Sequence, residues 1–134
     1  MSQTTSIRVS ADADDAGYDP EYGWMDGYYY IGYDYMYYNY IDAWVRFTGV
    51  DIPQGRTIES AYLEFKARSS DSGTCHVTIE AQAEDSASRI TSETEYSNAS
   101  WTTVGVTWGL ADWSNESVYQ SPDISTVVQE IVDR

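Results

Sequence analysis

Residues 58–67 alternate apolar and polar side chains with a period of two. This is the repeat of a β-strand that has one buried face. The same alternation returns over residues 75–83, and turn residues separate the two stretches. Strands of this kind are typical of an antiparallel fold in which one face of each sheet is buried. The residues predicted to face inward are Ala61, Leu63, Phe65, Ala67, Cys75, Val77, Ile79, Ala81 and Ala83.

The remaining segments extend this pattern. Further strands are predicted over residues 6–10, 41–48 and 102–108. Two short strands are predicted within residues 18–40, and residues 84–100 are predicted to be mostly loop with a short strand near residues 89–91. At 134 residues the chain is expected to form a single domain over residues 1–134. The predicted fold is all-β, an antiparallel jelly-roll β-sandwich with one short C-terminal helix.

That helix is predicted from a change of period near the C-terminus. Ser121 is a typical N-cap residue, Pro122 suits the first helical turn, and the Asp123 carboxylate favours the positive end of the helix dipole. The apolar residues that follow have helical spacing. They are Ile124, Val127, Val128 and Ile131.

Net charge and composition narrow the possible partners. The chain has 22 acidic and 7 basic residues and a formal charge of -15. Nucleic acid is excluded as a partner, because phosphate binding needs a basic surface. No apolar run reaches about 18 residues, so membrane insertion is not expected. Cys75 is the sole cysteine, so no internal disulfide is expected.

The N-terminal sequence bears on location. Residues 1–10 lack the basic and apolar regions of a signal peptide. The single cysteine fits a cytosolic protein or a secreted bacterial or viral protein, and the strand-rich, acidic composition is of an extracellular type. We therefore expect an extracellular protein, secreted, on a cell surface or on a virion, whose chain carries no signal peptide of its own.

Residues 18–40 hold 10 of the 13 tyrosines and no Lys, Arg or His. A tyrosine ring can stack or bury while its hydroxyl stays hydrogen-bonded. The stretch is therefore a ligand-binding surface, an interface with another protein or a layer over the core. Sugar rings stack on flat aromatic side chains that have polar groups beside them, and interfaces are also enriched in Tyr and Trp. The predicted ligand-binding residues are Trp24, Tyr28, Tyr30, Tyr33, Tyr35, Tyr37 and Tyr38.

Five aspartates near this stretch are candidate calcium ligands. Calcium takes six to eight oxygen ligands from acidic loops of this kind. The spacing is not that of an EF-hand, and the alternative is an acidic turn exposed to solvent. The predicted metal ligands are Asp12, Asp14, Asp15, Asp19 and Asp26.

No catalytic site is predicted. His76 is the only histidine, and it follows Cys75 directly on a predicted strand. Neighbouring strand residues point to opposite faces, so these two cannot form a Cys–His pair. The acidic residues are numerous, yet nothing in their spacing selects two of them for glycoside hydrolysis.

The middle of the chain carries three motifs, A-W-V-R-F at residues 43–47, I-P-Q-G-R-T-I at residues 52–58 and S-A-Y-L at residues 60–63. In this order they resemble the DNRLRE-type domain. A T-W pair at residues 107–108 and the segment 121–130 are similar to later parts of related modules. The tyrosine-rich stretch is not part of that family's pattern, and related modules continue with a further strand beyond the position of Arg134.

The resemblance implies a β-jelly-roll module of extracellular proteins. It also implies bound calcium and, in some members, an acidic polysaccharide such as alginate as ligand. We therefore expect a non-catalytic, calcium-stabilised module that binds a glycan or cell surface through its Tyr/Trp-rich face. The alternative is a structural or decoration subunit of a virion or extracellular fibre, in which the same rings contact neighbouring subunits.

Overall fold

The computed structural model describes residues 3–9, 11, 14–20, 22–26, 31–34 and 39–134, with the backbone alone at 26, 32–34 and 39–40. The described residues form mostly strands in antiparallel sheets, with two short helices. The prediction of antiparallel sheets is thus confirmed, whereas one helix was expected and two are present. The chain divides into two compact units, and the single domain expected over residues 1–134 stays a prediction.

The first unit comprises Met1–Asp51 and Ser88–Asn98. Its four strands form one sheet in the order β2-β1-β4-β3, and each neighbouring pair is antiparallel. A short helix, α1, completes the unit. The elements are β1 (Asp15–Asp19), β2 (Gly23–Asp26), β3 (Gly32–Asp34), β4 (Asn39–Val45) and α1 (Glu93–Asn98).

The turn between β1 and β2 is held by an aspartate. Asp19 is almost completely buried, and its Oδ1 accepts a hydrogen bond from the Tyr22 backbone N–H at 3.3 Å. Gly23 opens β2 with a φ of 81°, a left-handed conformation that glycine adopts without steric penalty. The buried apolar residues of this unit are Ala16, Ile41, Trp44 and Ile90.

Two predictions in this unit are wrong. Residues 6–9 have no regular structure, because the segment offers only Ile7 and Val9 for burial and both stay partly exposed. Asp15 was placed in an acidic turn, but it begins β1, where it pairs with Val45 of β4.

The second unit comprises Ile52–Ala87 and Ala99–Arg134. Two antiparallel pairs, β5 with β8 and β6 with β7, supply its strands. The elements are β5 (Glu64–Lys66), β6 (Cys75–Ile79), β7 (Val106–Leu110), β8 (Val118–Gln120) and α2 (Ser125–Val132).

The alternation of buried and exposed residues predicted over residues 58–67 is confirmed, but the continuous strand predicted there is not. Ala67 is buried, the apolar residues before it are partly buried, and the polar residues between them are exposed. The regular strand is nevertheless limited to Glu64–Lys66. Before Glu64, side chains from residues 121–129 accept hydrogen bonds from backbone N–H groups that a partner strand would otherwise bind. The Ile58, Ala61 and Leu63 N–H groups donate to Gln129 Oε1, Asp123 Oδ1 and Ser121 Oγ, respectively.

These bonds also explain why the predicted helix start is wrong. Ser121 Oγ accepts from Leu63 and donates to the Pro122 carbonyl, so it does not cap the helix. Helix α2 begins at Ser125, after an Ile124 that makes no side-chain cap. Asp123 still stabilises the start, because its Oδ1 accepts from the Ser125 N–H at 2.8 Å. Val127 is the residue of α2 that is fully buried.

Candidate functional site

Most of the predicted ligand-binding rings cannot be placed from the described residues. Trp24 lies in β2 and is partly buried. Tyr33 lies in β3, where the backbone alone is described. The other five lie outside the described residues: Tyr28, Tyr30, Tyr35, Tyr37 and Tyr38.

The backbone register places aromatic residues opposite one another. Trp24 in β2 lies opposite Tyr18 in β1, and Tyr33 in β3 lies opposite Tyr40 in β4. Tyr22, in the turn between β1 and β2, is 60% exposed. Directly opposed residues are the unit of side-chain interaction in an antiparallel sheet. The aromatic positions of this sheet are therefore paired by its register.

Helix α1 is joined to the sheet by two bonds between tyrosine and carboxylate. Tyr18 of β1 hydrogen-bonds Glu93, and Tyr96 hydrogen-bonds Asp42 of β4. Glu93 and Tyr96 are three residues apart, so they lie on one side of the helix. Tyr18 and Asp42 are direct cross-strand partners. The two bonds thus fix α1 above the junction of β1 and β4.

Tyr18 and Asp42, the two sheet residues that bond to α1, both have shifted pKa values. The hydrogen bond to Glu93, burial and the nearby charges of Glu93, Asp19 and Asp42 raise the pKa of Tyr18. Burial of its carboxylate raises the pKa of Asp42, and the hydrogen bond from Tyr96 partly opposes this. The Asp42 residue as a whole is still exposed over part of its surface. The hydroxyls of Tyr18 and Tyr96 are thus bonded to the carboxylates of Glu93 and Asp42 across the contact between α1 and the sheet.

Helix α1 was missed at the sequence level, although a signal for it exists. Ser92-Glu93-Thr94-Glu95 has the S-x-x-E spacing of a capping box. The Glu95 N–H donates to Ser92 Oγ at 3.3 Å, and Glu95 Oε2 accepts from the Thr91 N–H at 2.6 Å. This bond lowers the pKa of Glu95. The loop predicted over this region is therefore wrong at Glu93–Asn98, and so is the strand near residues 89–91.

The described acidic residues of the predicted calcium site do not form one ligand set. Asp14 is buried, and its Oδ1 lies 3.0 Å from Nη1 of Arg46, a cation that already compensates its charge. Asp15 and Asp19 occupy opposite ends of β1, about 13 Å apart at the usual rise of a strand. Among the described residues, no group of three or more His, Cys, Asp or Glu could hold a metal ion. Asp12 and the Asp26 side chain lie outside that description, and calcium binding stays a prediction.

The second unit carries a row of four aromatic rings, each in contact with the next. Phe65 stacks on the buried Trp108, with ring centroids 5.9 Å apart. Trp108 contacts Trp113, which stacks on Tyr119 with centroids 4.3 Å apart and planes 5° from parallel. Trp108 and Trp113 thus serve packing. Sequence periodicity could not reveal the row, because Trp113 and Tyr119 lie outside the regular alternation.

Cys75 and His76 occupy adjacent positions on β6. Cys75 lies opposite Leu110 and His76 opposite Gly109. The exposed His76 ring extends over Gly109, such that a Cβ at residue 109 would lie 3.5 Å from His76 Nε2. His76 is thus used to cover a glycine in the neighbouring strand.

Comparison of the chain with protein-family models, curated proteins and solved structures finds no significant match. The resemblance to the DNRLRE-type domain therefore stays a prediction. Within the described residues, no helix is long and apolar enough to cross a membrane.

Proposed function

We propose that this chain is a non-catalytic, calcium-stabilised module that binds a glycan or a cell surface. The ligand would contact the aromatic side of the first unit, formed by Trp24 and by the tyrosines at 28, 30, 33, 35, 37 and 38. The proposal includes an extracellular location and the closure of the strands into a jelly roll.

One observation carries the proposal: the sheet register pairs aromatic residues with each other. Trp24 opposes Tyr18, Tyr33 opposes Tyr40, and Trp24 and Tyr18 both keep part of their surface exposed. A sheet holds such rings at fixed spacings, as the apolar faces of successive sugar rings require. Asp42, which is opposite Tyr18, supplies an oxygen acceptor for sugar hydroxyls.

The net negative charge of the chain favours some classes of glycan over others. With 22 acidic and 7 basic residues, the chain repels polyanions. A neutral or amino-sugar polysaccharide therefore suits this surface better than alginate does.

The test compares Trp24 with two exposed tyrosines, one close to the proposed surface in sequence and one in the second unit. Tyr22 is 60% exposed beside Trp24, and Tyr62 is 50% exposed in the second unit. The full chain would be screened on a glycan array, and hits would be titrated by calorimetry against Trp24→Ala, Tyr22→Ala and Tyr62→Ala. We expect at least tenfold weaker binding for Trp24→Ala, weaker binding for Tyr22→Ala and no change for Tyr62→Ala. Binding that survives Trp24→Ala, or no binding to any glycan or cell surface, would overturn the proposal.

A second candidate is a structural or decoration subunit. The first unit leaves Tyr22, Phe47 and Val50 exposed, with Val50 at 50%. Aromatic residues are enriched at protein interfaces, so these exposed side chains would suit contacts with a neighbouring subunit. Sedimentation equilibrium separates the two candidates. A stable oligomer that Trp24→Ala dissociates supports the subunit, whereas a monomer at all concentrations favours glycan binding.

A further inference from the structure

A five-residue pattern occurs twice in this chain. Residues 96–100 read Y-S-N-A-S and residues 113–117 read W-S-N-E-S. Each contains N-x-S, the acceptor sequence for N-linked glycans, with an aromatic residue two positions before the asparagine. The remaining asparagine, Asn39, is followed by Tyr40 and Ile41 and is not an acceptor.

Asn98 is placed where a glycosylating enzyme could reach it. It is the last residue of α1, it is exposed, and the chain after it has no regular structure. Its side-chain amide makes no hydrogen bond to another described residue. Tyr96, two residues earlier, is partly buried and held by Asp42. Tyr96 thus anchors α1 to the sheet, whereas Asn98, about 200° further around the helix, points away from that contact.

Asn115 lies in a tight turn. The Ser117 N–H donates to the Ser114 carbonyl at 3.1 Å, and Glu116 has a φ of 64°, a left-handed conformation. Asn115 is exposed, and the bond from its backbone N–H to Ser70 Oγ holds the turn at 2.9 Å. Its side-chain amide likewise makes no hydrogen bond within the described part of the chain.

Aromatic rings border this turn. Tyr119 accepts the Ser114 N–H on its hydroxyl at 2.7 Å, and its ring stacks on Trp113. Trp113 is partly exposed, two residues before the acceptor. These rings pack on each other and hold the backbone of the turn, so Asn115 is presented on a fixed and exposed turn.

We propose that Asn98 and Asn115 are acceptor sites for N-linked glycans. The co-reactant is an oligosaccharide joined to a lipid through a diphosphate. The asparagine amide nitrogen attacks the anomeric carbon, and a C–N bond forms. The bond from that carbon to the diphosphate oxygen breaks, the lipid diphosphate leaves, and the amide loses one proton to a base of the transferring enzyme. The inference rests on the extracellular location included in the proposed function.

The experiment is intact-mass analysis of the full chain, secreted from mammalian cells behind a cleavable signal peptide. We expect two N-glycans, both removed by peptide N-glycosidase. Asn98→Gln and Asn115→Gln should each lose one glycan, and the double variant should lose both. Ser100→Ala and Ser117→Ala, which keep the asparagine, should lose the same glycans as the corresponding asparagine variants.

A secreted wild-type chain that melts cooperatively but has the mass of the bare polypeptide would overturn the inference. The glycan-binding test uses unmodified protein from bacteria. A negative result in either experiment therefore leaves the other proposal standing.

Discussion

Tyr18 lies directly opposite Asp42 in the antiparallel pairing of β1 with β4, and both side chains hydrogen-bond helix α1. The two bonds have opposite directions. The sheet supplies the hydroxyl in one, to Glu93, and the carboxylate in the other, to Tyr96. The helix is only six residues long, and a helix of this length is not stable alone. These side-chain bonds therefore contribute to its presence.

The first prediction concerns the partly buried carboxylate of Asp42. Burial raises its folded-state pKa above the ordinary value of 3.8, so the folded protein holds this proton more tightly than the unfolded chain. The stabilisation is present below the unfolded pKa and is lost as the pH rises through the folded pKa. Asp42→Asn removes the charge and keeps an oxygen to accept from Tyr96. We expect this variant to melt above wild type at about pH 7 and near wild type at about pH 3.

Thermal unfolding followed by circular dichroism measures this difference. Asp51→Asn, at an exposed residue of the same unit, controls for the change in net charge. A lower melting temperature for Asp42→Asn at neutral pH would show that the ionised carboxylate is a net stabilising group.

The second prediction concerns a carboxylate of α2 that anchors a loop. Glu130 accepts the Thr103 N–H at 2.8 Å on Oε1 and the Val104 N–H at 3.0 Å on Oε2. The Thr103 hydroxyl adds a third bond. The bond from the Thr103 N–H is the main cause that lowers the pKa of Glu130 below its ordinary 4.5. The stabilisation is therefore present above that value and is lost as the pH falls through the folded pKa.

Glu130→Gln keeps one acceptor oxygen and presents an amide N–H₂ where the second acceptor was. We expect the melting temperature to fall by a few degrees at neutral pH, and the gap from wild type to close as the pH falls through the lowered folded-state pKa of Glu130. Glu84→Gln is the matched control, because this exposed carboxylate makes no hydrogen bond to another described residue. Equal shifts in the two variants would attribute the effect to net charge alone.

The third prediction uses two glycines next to strand β6. A Cβ at Gly105 would lie 2.8 Å from Thr78 Cγ2, whereas a Cβ at Gly109 would meet His76 at an ordinary 3.5 Å. The branched Thr78 side chain has little rotamer freedom, so it cannot move aside without cost. We expect Gly105→Ala to lose about 1–3 kcal/mol of unfolding free energy. Gly109→Ala is expected to change it far less.

A double-mutant cycle identifies the cause. Thr78→Ser removes Cγ2, so Gly105→Ala should be less destabilising in that background when both are measured by urea unfolding. An equal loss in both backgrounds would mean that the Thr78 methyl is not the obstacle.

The sequence contains enough information to predict the burial pattern but not the hydrogen-bond partners. Alternation over Cys75–Ile79 follows from local chemistry, since a strand exposes every second residue. The N–H groups of Ile58 and Leu63, in contrast, are bound by Gln129 and Ser121, which are 71 and 58 residues away. Such contacts depend on the tertiary fold. For this reason the predicted helix cap and strand length were wrong.

The sequence indicates the candidate site only through its amino-acid composition, not through its geometry. The excess of tyrosine marks residues 18–40, and the register that pairs Trp24 with Tyr18 appears only in the sheet. The neighbouring aspartates suggested that Asp14 belongs to a local group of metal ligands. Asp14 instead pairs with Arg46, which is 32 residues away in sequence. Helix α1 is the one element whose local signal, the capping box at Ser92, was present and overlooked.

The fourth prediction concerns calcium. A ligand that binds the folded state alone raises the melting temperature in proportion to the logarithm of its concentration above the dissociation constant. We expect the chain to melt lower in EDTA than in millimolar calcium, and to recover when calcium is added in excess. Magnesium should restore less of the melting temperature than calcium does, because Mg²⁺ gives up its bound waters reluctantly.

Variants locate the site. Asp12→Asn and Asp26→Asn should each weaken the calcium response, whereas Asp51→Asn, outside the predicted ligands, should leave it intact. Asp14→Asn should lower the melting temperature with and without calcium, because it removes the buried carboxylate that lies 3.0 Å from Arg46. Identical melting curves in EDTA and in calcium would show that calcium is not part of the proposed function. Binding of a glycan by the aromatic surface would then be tested without calcium.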